Sequence, residues 1–242
     1  MAIQLLSSDT EAQAHGVKVL VYAKAGLGKT LMSATAPNPV LISAESGLLC
    51  LRKENIAKVY GKKQKGITYN LPIIKIRTID DLIEAYKWAE NSKEAQGFET
   101  ICIDSLSEIA EVVLENAKKG LKDPRQAYMV LQTQISDVIR KFRDLSGKHI
   151  YMTAKQERIK DETSNITLYG PSLPGAKLGQ ASPYFYDEVF QLGVNKDTDG
   201  STYRFLRTQP DLQYDAKDRS GSLDEIEEPH LGKIFNKIMS GV

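Results

Sequence analysis

The stretch Val17-Lys18-Val19-Leu20-Val21-Tyr22-Ala23-Lys24-Ala25-Gly26-Leu27-Gly28-Lys29-Thr30 joins an apolar run to a glycine-bearing turn. Residues 17–22 read as a strand buried on both faces, the mark of a parallel sheet covered by helices. Residues 23–30 fit the phosphate-cradling pattern G-x-x-x-x-G-K-[ST], with Ala23 where the first glycine usually stands. Gly26 and Gly28 let backbone N–H groups curl around an anion, and a helix beginning near Gly28 adds its N-terminal dipole. The nucleotide-binding set expected here is Ala25, Gly26, Leu27, Gly28, Lys29, Thr30 and Leu31. Lys29 reaches the β- and γ-phosphates, and the Thr30 hydroxyl suits Mg²⁺. If position 23 demands a positive φ, its alanine costs about 1–2 kcal/mol; otherwise it is harmless.

Working outward, strands and helices alternate over residues 17–153, which predicts a mostly parallel sheet flanked by helices. Strands are expected at 40–43, 71–76, 100–103 and 150–153. Thr78 is expected to cap a helix carrying Leu82, Ala85, Tyr86 and Ala89 at helical spacing. Ser105 and Glu108 form an S-x-x-E capping box for the helix running to about Lys118. A loop over 120–125 leads to a long amphipathic helix over 126–145, with Val130, Ile135, Val138, Ile139 and Phe142 inward. Beyond 153 the pattern changes. Residues 159–180 are polar and rich in Gly, Pro and Lys, and read as a mobile hairpin or loop. Strands at 186–192 and 201–208 form an antiparallel extension before an acidic stretch and a closing helix near 230–239. Residues 1–16 read as a lead-in, and 17–242 as one domain.

The composition of the 242-residue chain is that of an ordinary globular protein, with 41% hydrophobic and 26% charged residues. A net charge of +1 argues neither for nor against nucleic acid, so any such site must be a local patch. The two cysteines suggest neither disulfide nor zinc, and the expected setting is a reducing cytoplasm. No apolar run approaches a membrane span, and no membrane partner is expected.

Asp104, ending an apolar strand, is placed to hold Mg²⁺, usually through water; the alternative is a helix cap only. Glu45 follows the neighbouring strand at the sheet edge where open α/β sheets bind ligands, so it can orient and deprotonate an attacking water. At the end of the strand over 150–153, Gln156 is the first choice and Thr153 the second for a group that feels the γ-phosphate. Each also has a plainer reading, a solvated glutamate or an unremarked strand end.

This order of elements resembles the RecA-type ATPase core. S-A-E-S-G looks like that family's catalytic-glutamate strand end, and T-I-C-I-D-S-L like its Mg²⁺ strand. The chain also resembles the phage RecA-like nucleotide-binding proteins, including the small single-strand annealing recombinases: P-S-L-P-G-A-K, F-Y-D-E-V-F-Q-L and A-K-D-R-S-G resemble their segments. The resemblance covers roughly residues 17–240. It implies ATP and Mg²⁺ as ligands, a RecA-like P-loop NTPase fold, and self-assembly into rings or filaments. Ala216-Lys217-Asp218-Arg219-Ser220-Gly221 resembles the K-x-R segment of RadA, KaiC and related hexamers, which implies that Lys217 and Arg219 enter the next subunit's site. It also implies that two loops bind DNA. The first offers Lys118, Lys119, Lys122 and Arg125, with Tyr128 nearby; the second offers Arg158, Lys160, Tyr169 and Lys177. Arg52 would lie over the adenine as a planar stacking group. No counterpart of the long N-terminal helix and linker of full-length RecA proteins is read in this sequence, so rings or weaker oligomers are expected as readily as filaments of that kind.

The leading expectation is an ATPase that binds single-stranded DNA and promotes annealing or strand pairing in phage recombination. A second reading is an ATP-gated assembly protein that recruits a partner, such as single-strand-binding protein, with little turnover. A DnaB-like helicase or loader motor ranks below these. A small-molecule kinase is further disfavoured by the K-D-R segment.

Overall fold

The computed structural model describes residues 5, 7, 16–121, 123–160 and 165–241. Lys122, one of the expected DNA-binding cations, lies outside them, as does most of the lead-in.

The chain begins its ordered alternation with β1 (Lys18–Ala23), α1 (Lys29–Met32) and β2 (Pro39–Ser43). Then come α2 (Lys53–Tyr60), β3 (Ile73–Lys75), α3 (Ile79–Asn91) and β4 (Thr100–Asp104). A helical hairpin, α4 (Leu106–Gly120) and α5 (Pro124–Arg143), leads into β5 (His149–Lys160). The last third holds β6 (Thr167–Ser172), α6 (Ala176–Ala181), β7 (Glu188–Lys196), β8 (Thr202–Arg207), β9 (Lys217–Asp218), β10 (Ile226–Glu227) and α7 (Leu231–Met239).

Across the sheet the order is β10-β8-β7-β1-β5-β4-β2-β3. The six strands from β7 to β3 are parallel, while β8 and β10 add antiparallel pairings. The expected α/β class with an antiparallel extension is therefore observed. β1 sits at the centre, and its alternation divides the core. Leu20 and Tyr22 face the layer of α3, α4 and α5, and Val19, Val21 and Ala23 face that of α1, α2 and α7. Both faces of β1 are covered, which is why its sequence shows no polar face.

Several expectations need correction. The strand expected to end at Thr153 continues to Lys160, because its outer half pairs antiparallel with β6 from Lys155↔Ser172 to Lys160↔Thr167. Of the two forms expected for 159–180, hairpin or loop, the antiparallel pairing of β5 with β6 is the hairpin, and a short helix follows it. The long helix starts at Pro124, not Gln126: the Asp123 carboxylate accepts from the Arg125 amide at 2.9 Å, and proline suits the first turn. Val130 is only half-buried; Ala127 and Leu131 take the inward positions beside it. Thr78 closes a full capping box with Asp81. Ser105 accepts from the Glu108 amide at 3.3 Å, but the Glu108 carboxylate turns to Lys155 at 3.2 Å.

Candidate functional site

The loop leaving β1 places Gly26 at φ +79° and Gly28 at φ +103°, conformations that side chains other than glycine rarely adopt. Ala23 is the last residue of β1 and has no positive φ, so the alanine carries no backbone strain. Past Gly28 the chain enters α1, whose first carbonyl, that of Lys29, accepts from the buried Tyr151 hydroxyl at 2.9 Å.

Around this loop lies a cleft of about 570 Å³. It is lined by Ala25, Gly26, Gly28, Lys29, Thr30 and Leu31 from the loop and α1, and by Glu45, Asp104 and Gln156 from the ends of β2, β4 and within β5. The parallel register explains the convergence: Ala23 pairs with Lys155, and Ser43 with Asp104, so the strands reach one edge together. Asp104 is buried and held from two sides. The Thr30 hydroxyl donates to its Oδ2 at 2.7 Å, and the Thr153 hydroxyl donates to its Oδ1. Thr153 therefore orients the carboxylate, and it is not among the residues lining the cleft.

Lys29 folds back so that its ammonium donates to the carbonyls of Ala23 at 3.0 Å and Lys24 at 3.3 Å. Burial lowers its pKa, Asp104 and Glu45 oppose that, and Lys155 adds to it. A nearby polyanion would draw the ammonium off the neutral carbonyls. Gln156 has its Oε1 buried without a hydrogen-bond partner within the protein, at the edge of the same cleft. Such an oxygen is costly unless something polar arrives to meet it. The Thr30 hydroxyl beside the Asp104 carboxylate forms a hard-oxygen pair that fits a magnesium ion.

Some expected residues lie elsewhere. Leu27 lines a separate cavity of about 470 Å³ on the other side of the loop, together with Tyr60 and Arg204. Arg52 is exposed at the N-cap of α2 and does not line the phosphate cleft. Lys217 donates to the carbonyls of Pro183, at 2.9 Å, and Tyr186. Arg219 is exposed and faces Asp187 at 3.4 Å. Both lie near the start of β7, since Asp218 pairs with Glu188, and Glu188 with Val19. The phosphate loop leaves the opposite end of β1.

The expected DNA-contacting residues fall into two groups. Arg125 and Tyr128 from α5 meet Pro174, Gly175 and Lys177 at a mostly apolar groove of about 330 Å³. The Lys118 ammonium stands 5.5 Å from the centroid of the Tyr128 ring, and Lys119 is exposed on the same helix. Gly175 has φ +85°, and a Cβ there would stand 3.2 Å from the Tyr128 ring, so the ring rests on bare backbone. Arg158 and Lys160 are exposed on the ribbon, two residues apart and therefore on one face. Tyr169 shares that face, but its ring is stacked on Tyr214 with centroids 4.7 Å apart.

Sequence reading missed Lys155, Ser107 and Cys50. Lys155 and Cys50 line the cleft, and Lys155 is anchored to Glu111 at 2.8 Å. Ser107 accepts from the Lys155 amide at 2.8 Å and donates to the Ser172 carbonyl at 2.6 Å, joining α4 to the base of the ribbon. Only the T-A-K-Q position of Lys155 hinted at a role.

Residues 15–220 match the family AAA_24, described as an AAA domain. No curated protein matches the chain. Among solved structures, the KaiC-like protein PH0186 from the hyperthermophilic archaeon Pyrococcus horikoshii OT3 is similar at 15% identity and a TM-score of 0.41, over 79% of this chain and 77% of that one. No helix among the described residues is long and apolar enough to cross a membrane.

Proposed function

Because the chain belongs to the AAA_24 family of AAA domains, we propose that it is a Mg²⁺-dependent ATPase that grips single-stranded DNA and promotes annealing or strand pairing in phage recombination. The nucleotide half rests on the cleft. Thr30 and Asp104 would hold the ion, which supplies charge neutralisation at the phosphates. Lys29 clamps the phosphates, Glu45 orients the attacking water, and the unpartnered Gln156 Oε1 responds to what occupies the γ position. Among the described residues lining the cleft there is no arginine. Lys217 and Arg219 stand at the far end of β1, which favours a role in a neighbouring copy's cleft.

One observation carries the nucleic-acid half. Arg125 and Lys177, from segments far apart in the chain, rim one groove floored by Tyr128. Cations above an apolar, aromatic floor suit phosphates and unstacked bases. β5 leads from Gln156 in the cleft into the ribbon before Lys177, so nucleotide state and DNA grip share one strand.

The test is fluorescence anisotropy of a labelled single-stranded oligonucleotide with and without Mg²⁺-ATP, with Lys29→Ala as control. The expected result is nucleotide-dependent binding that the mutant lacks. Absence of binding in every state at moderate salt refutes the DNA half and leaves the ATP-gated partner-recruiting reading.

A further inference from the structure

Tyr22 stands one residue before Ala23 and the phosphate loop, with its side chain fully buried. Its hydroxyl points at two backbone carbonyls, that of Asp215 at 2.6 Å and that of Tyr169 at 3.1 Å. A phenol has one proton, so the two carbonyls compete for a single donor. Burial, helped by the Asp215 carboxylate, pushes the phenol well above its ordinary pKa, and the proton stays in place at physiological pH.

The two carbonyls belong to different devices. Tyr169 lies in β6, the return strand of the ribbon, and Asp215 lies just before Lys217 and Arg219. Further contacts fasten the two segments to each other. The Tyr169 amide donates to the Gln213 carbonyl at 2.6 Å, and the Asp215 amide donates to the Tyr169 carbonyl at 3.0 Å. The stacked Tyr214 ring is backed by the Arg207 guanidinium, 5.4 Å from its centroid, which Asp211 holds at 3.1 Å. Gly170 permits the close approach, since a Cβ there would stand 2.8 Å from the Asp215 carboxylate.

We propose that Tyr22 is a positioning residue coupling the ribbon to the Lys217–Arg219 segment, through one hydroxyl shared between the carbonyls of Tyr169 and Asp215. A load on the ribbon displaces the Tyr169 carbonyl, shifts the proton's partner, and carries the fastened 211–215 segment with it. Lys217 and Arg219 then move relative to the surface they present to a neighbour. The coupling stands on these contacts alone; only the identity of the load, single-stranded DNA, rests on the function proposed above.

Amide hydrogen exchange on the full chain tests it, comparing the wild type with Tyr22→Phe, which keeps the ring and removes the proton. Amides of 167–172 and of 213–219 are expected to exchange together about tenfold faster, the effect of one lost buried hydrogen bond. Amides of β2 and β4 are expected to stay protected. Wild-type rates in both segments, or loosening of only one, overturn the proposal. Tyr214→Ala, at a half-buried ring outside the core, is expected to give the same paired loosening with β1 untouched; it decides the matter where Tyr22→Phe unfolds.

A second arm reads phosphate release with and without an oligothymidylate. Tyr22→Phe is expected to keep KM for ATP within about twofold while the DNA-stimulated rise in kcat disappears. Stimulation retained in full overturns the coupling. A wild type that ignores the oligonucleotide refutes the DNA reading instead, and the exchange result alone then judges Tyr22.

Discussion

At the phosphate cleft, Thr30 at the start of α1, Asp104 at the end of β4 and Thr153 in β5 meet, and the Asp104 carboxylate is buried with both oxygens engaged. At the cationic groove, Arg125 and Lys177 stand exposed on separate helices, and the half-open Tyr128 ring lies between the Gly175 backbone and the Lys118 ammonium. The first arrangement is preorganised by parallel register; the second by a helical hairpin and a ribbon that happen to end side by side. On the function proposed above, the cleft needs fixed dipoles at a transition state, whereas the groove would work with exposed charges that follow a strand. The two regions should therefore fail differently under substitution.

The largest effect belongs to the cleft. Lys29→Ala is expected to cut phosphate release at least about a thousandfold, with nucleotide binding lost in a labelled-ATP titration. A mutant that still turns over would mean that the clamp lies elsewhere. Arg219→Ala is expected to lose about a thousandfold in kcat while keeping nucleotide affinity. Mixing it with Lys29→Ala should restore part of the activity, because mixed assemblies pair an intact cleft with an intact neighbour. A mixture as inactive as its parts would remove Arg219 from the trans role.

Thr153→Val tests the preorganisation itself. Removing the hydroxyl that holds Asp104 is expected to lower stability by about 2 kcal/mol, read as the urea midpoint, and to weaken Mg²⁺-dependent turnover more than ATP binding. In the groove, Arg125→Ala with Lys177→Ala is expected to weaken oligonucleotide binding about tenfold at moderate salt. It should also lower the slope of log K against log salt by about 0.7 per cation removed. ATP affinity should not move; if it does, groove and cleft are one site rather than two.

The last test concerns the bed of the Lys217–Arg219 segment. Burial, then the Asp218 charge, pushes the Glu188 carboxyl up to about 8 from its ordinary 4.5. The folded chain thus keeps a proton that the unfolded chain has already released, so stability falls as pH rises from about 4.5 to about 8. Glu188→Gln is expected to flatten that slope, with urea midpoints at about pH 5 and about pH 8 drawing together. An unchanged slope would place the titration on another group.

The contrast also explains which residues could be read in advance. The phosphate loop is one contiguous motif in which glycine spacing, lysine and threonine act within a single turn, so Gly26, Gly28, Lys29 and Thr30 were legible residue by residue. Asp104 and Glu45 were legible because strand ends in a parallel sheet share an edge. Tyr128 carries no local signal beyond standing near the basic loop, because its partners Pro174 and Gly175 come from another element. Arg52, expected over the adenine from the resemblance alone, sits exposed at the N-cap of α2 and outside the residues lining the cleft. Tyr22 read simply as core, for its hydroxyl's acceptors are distant carbonyls that leave no side-chain signature.

By itself, the sequence determined the α/β class, the phosphate loop and the strand-end position of Asp104 beside it, because these arise from periodicity and from residues acting within one turn or one strand end. Tertiary structure alone decided which basic segments meet, that β5 runs unbroken from the sheet into its hairpin with β6, that Tyr169 is stacked on Tyr214, and that one phenol proton sits between two segments. Those outcomes depend on backbone carbonyls and packing partners far apart in the chain. Backbone groups are the same in every residue, so no local pattern encodes where they meet.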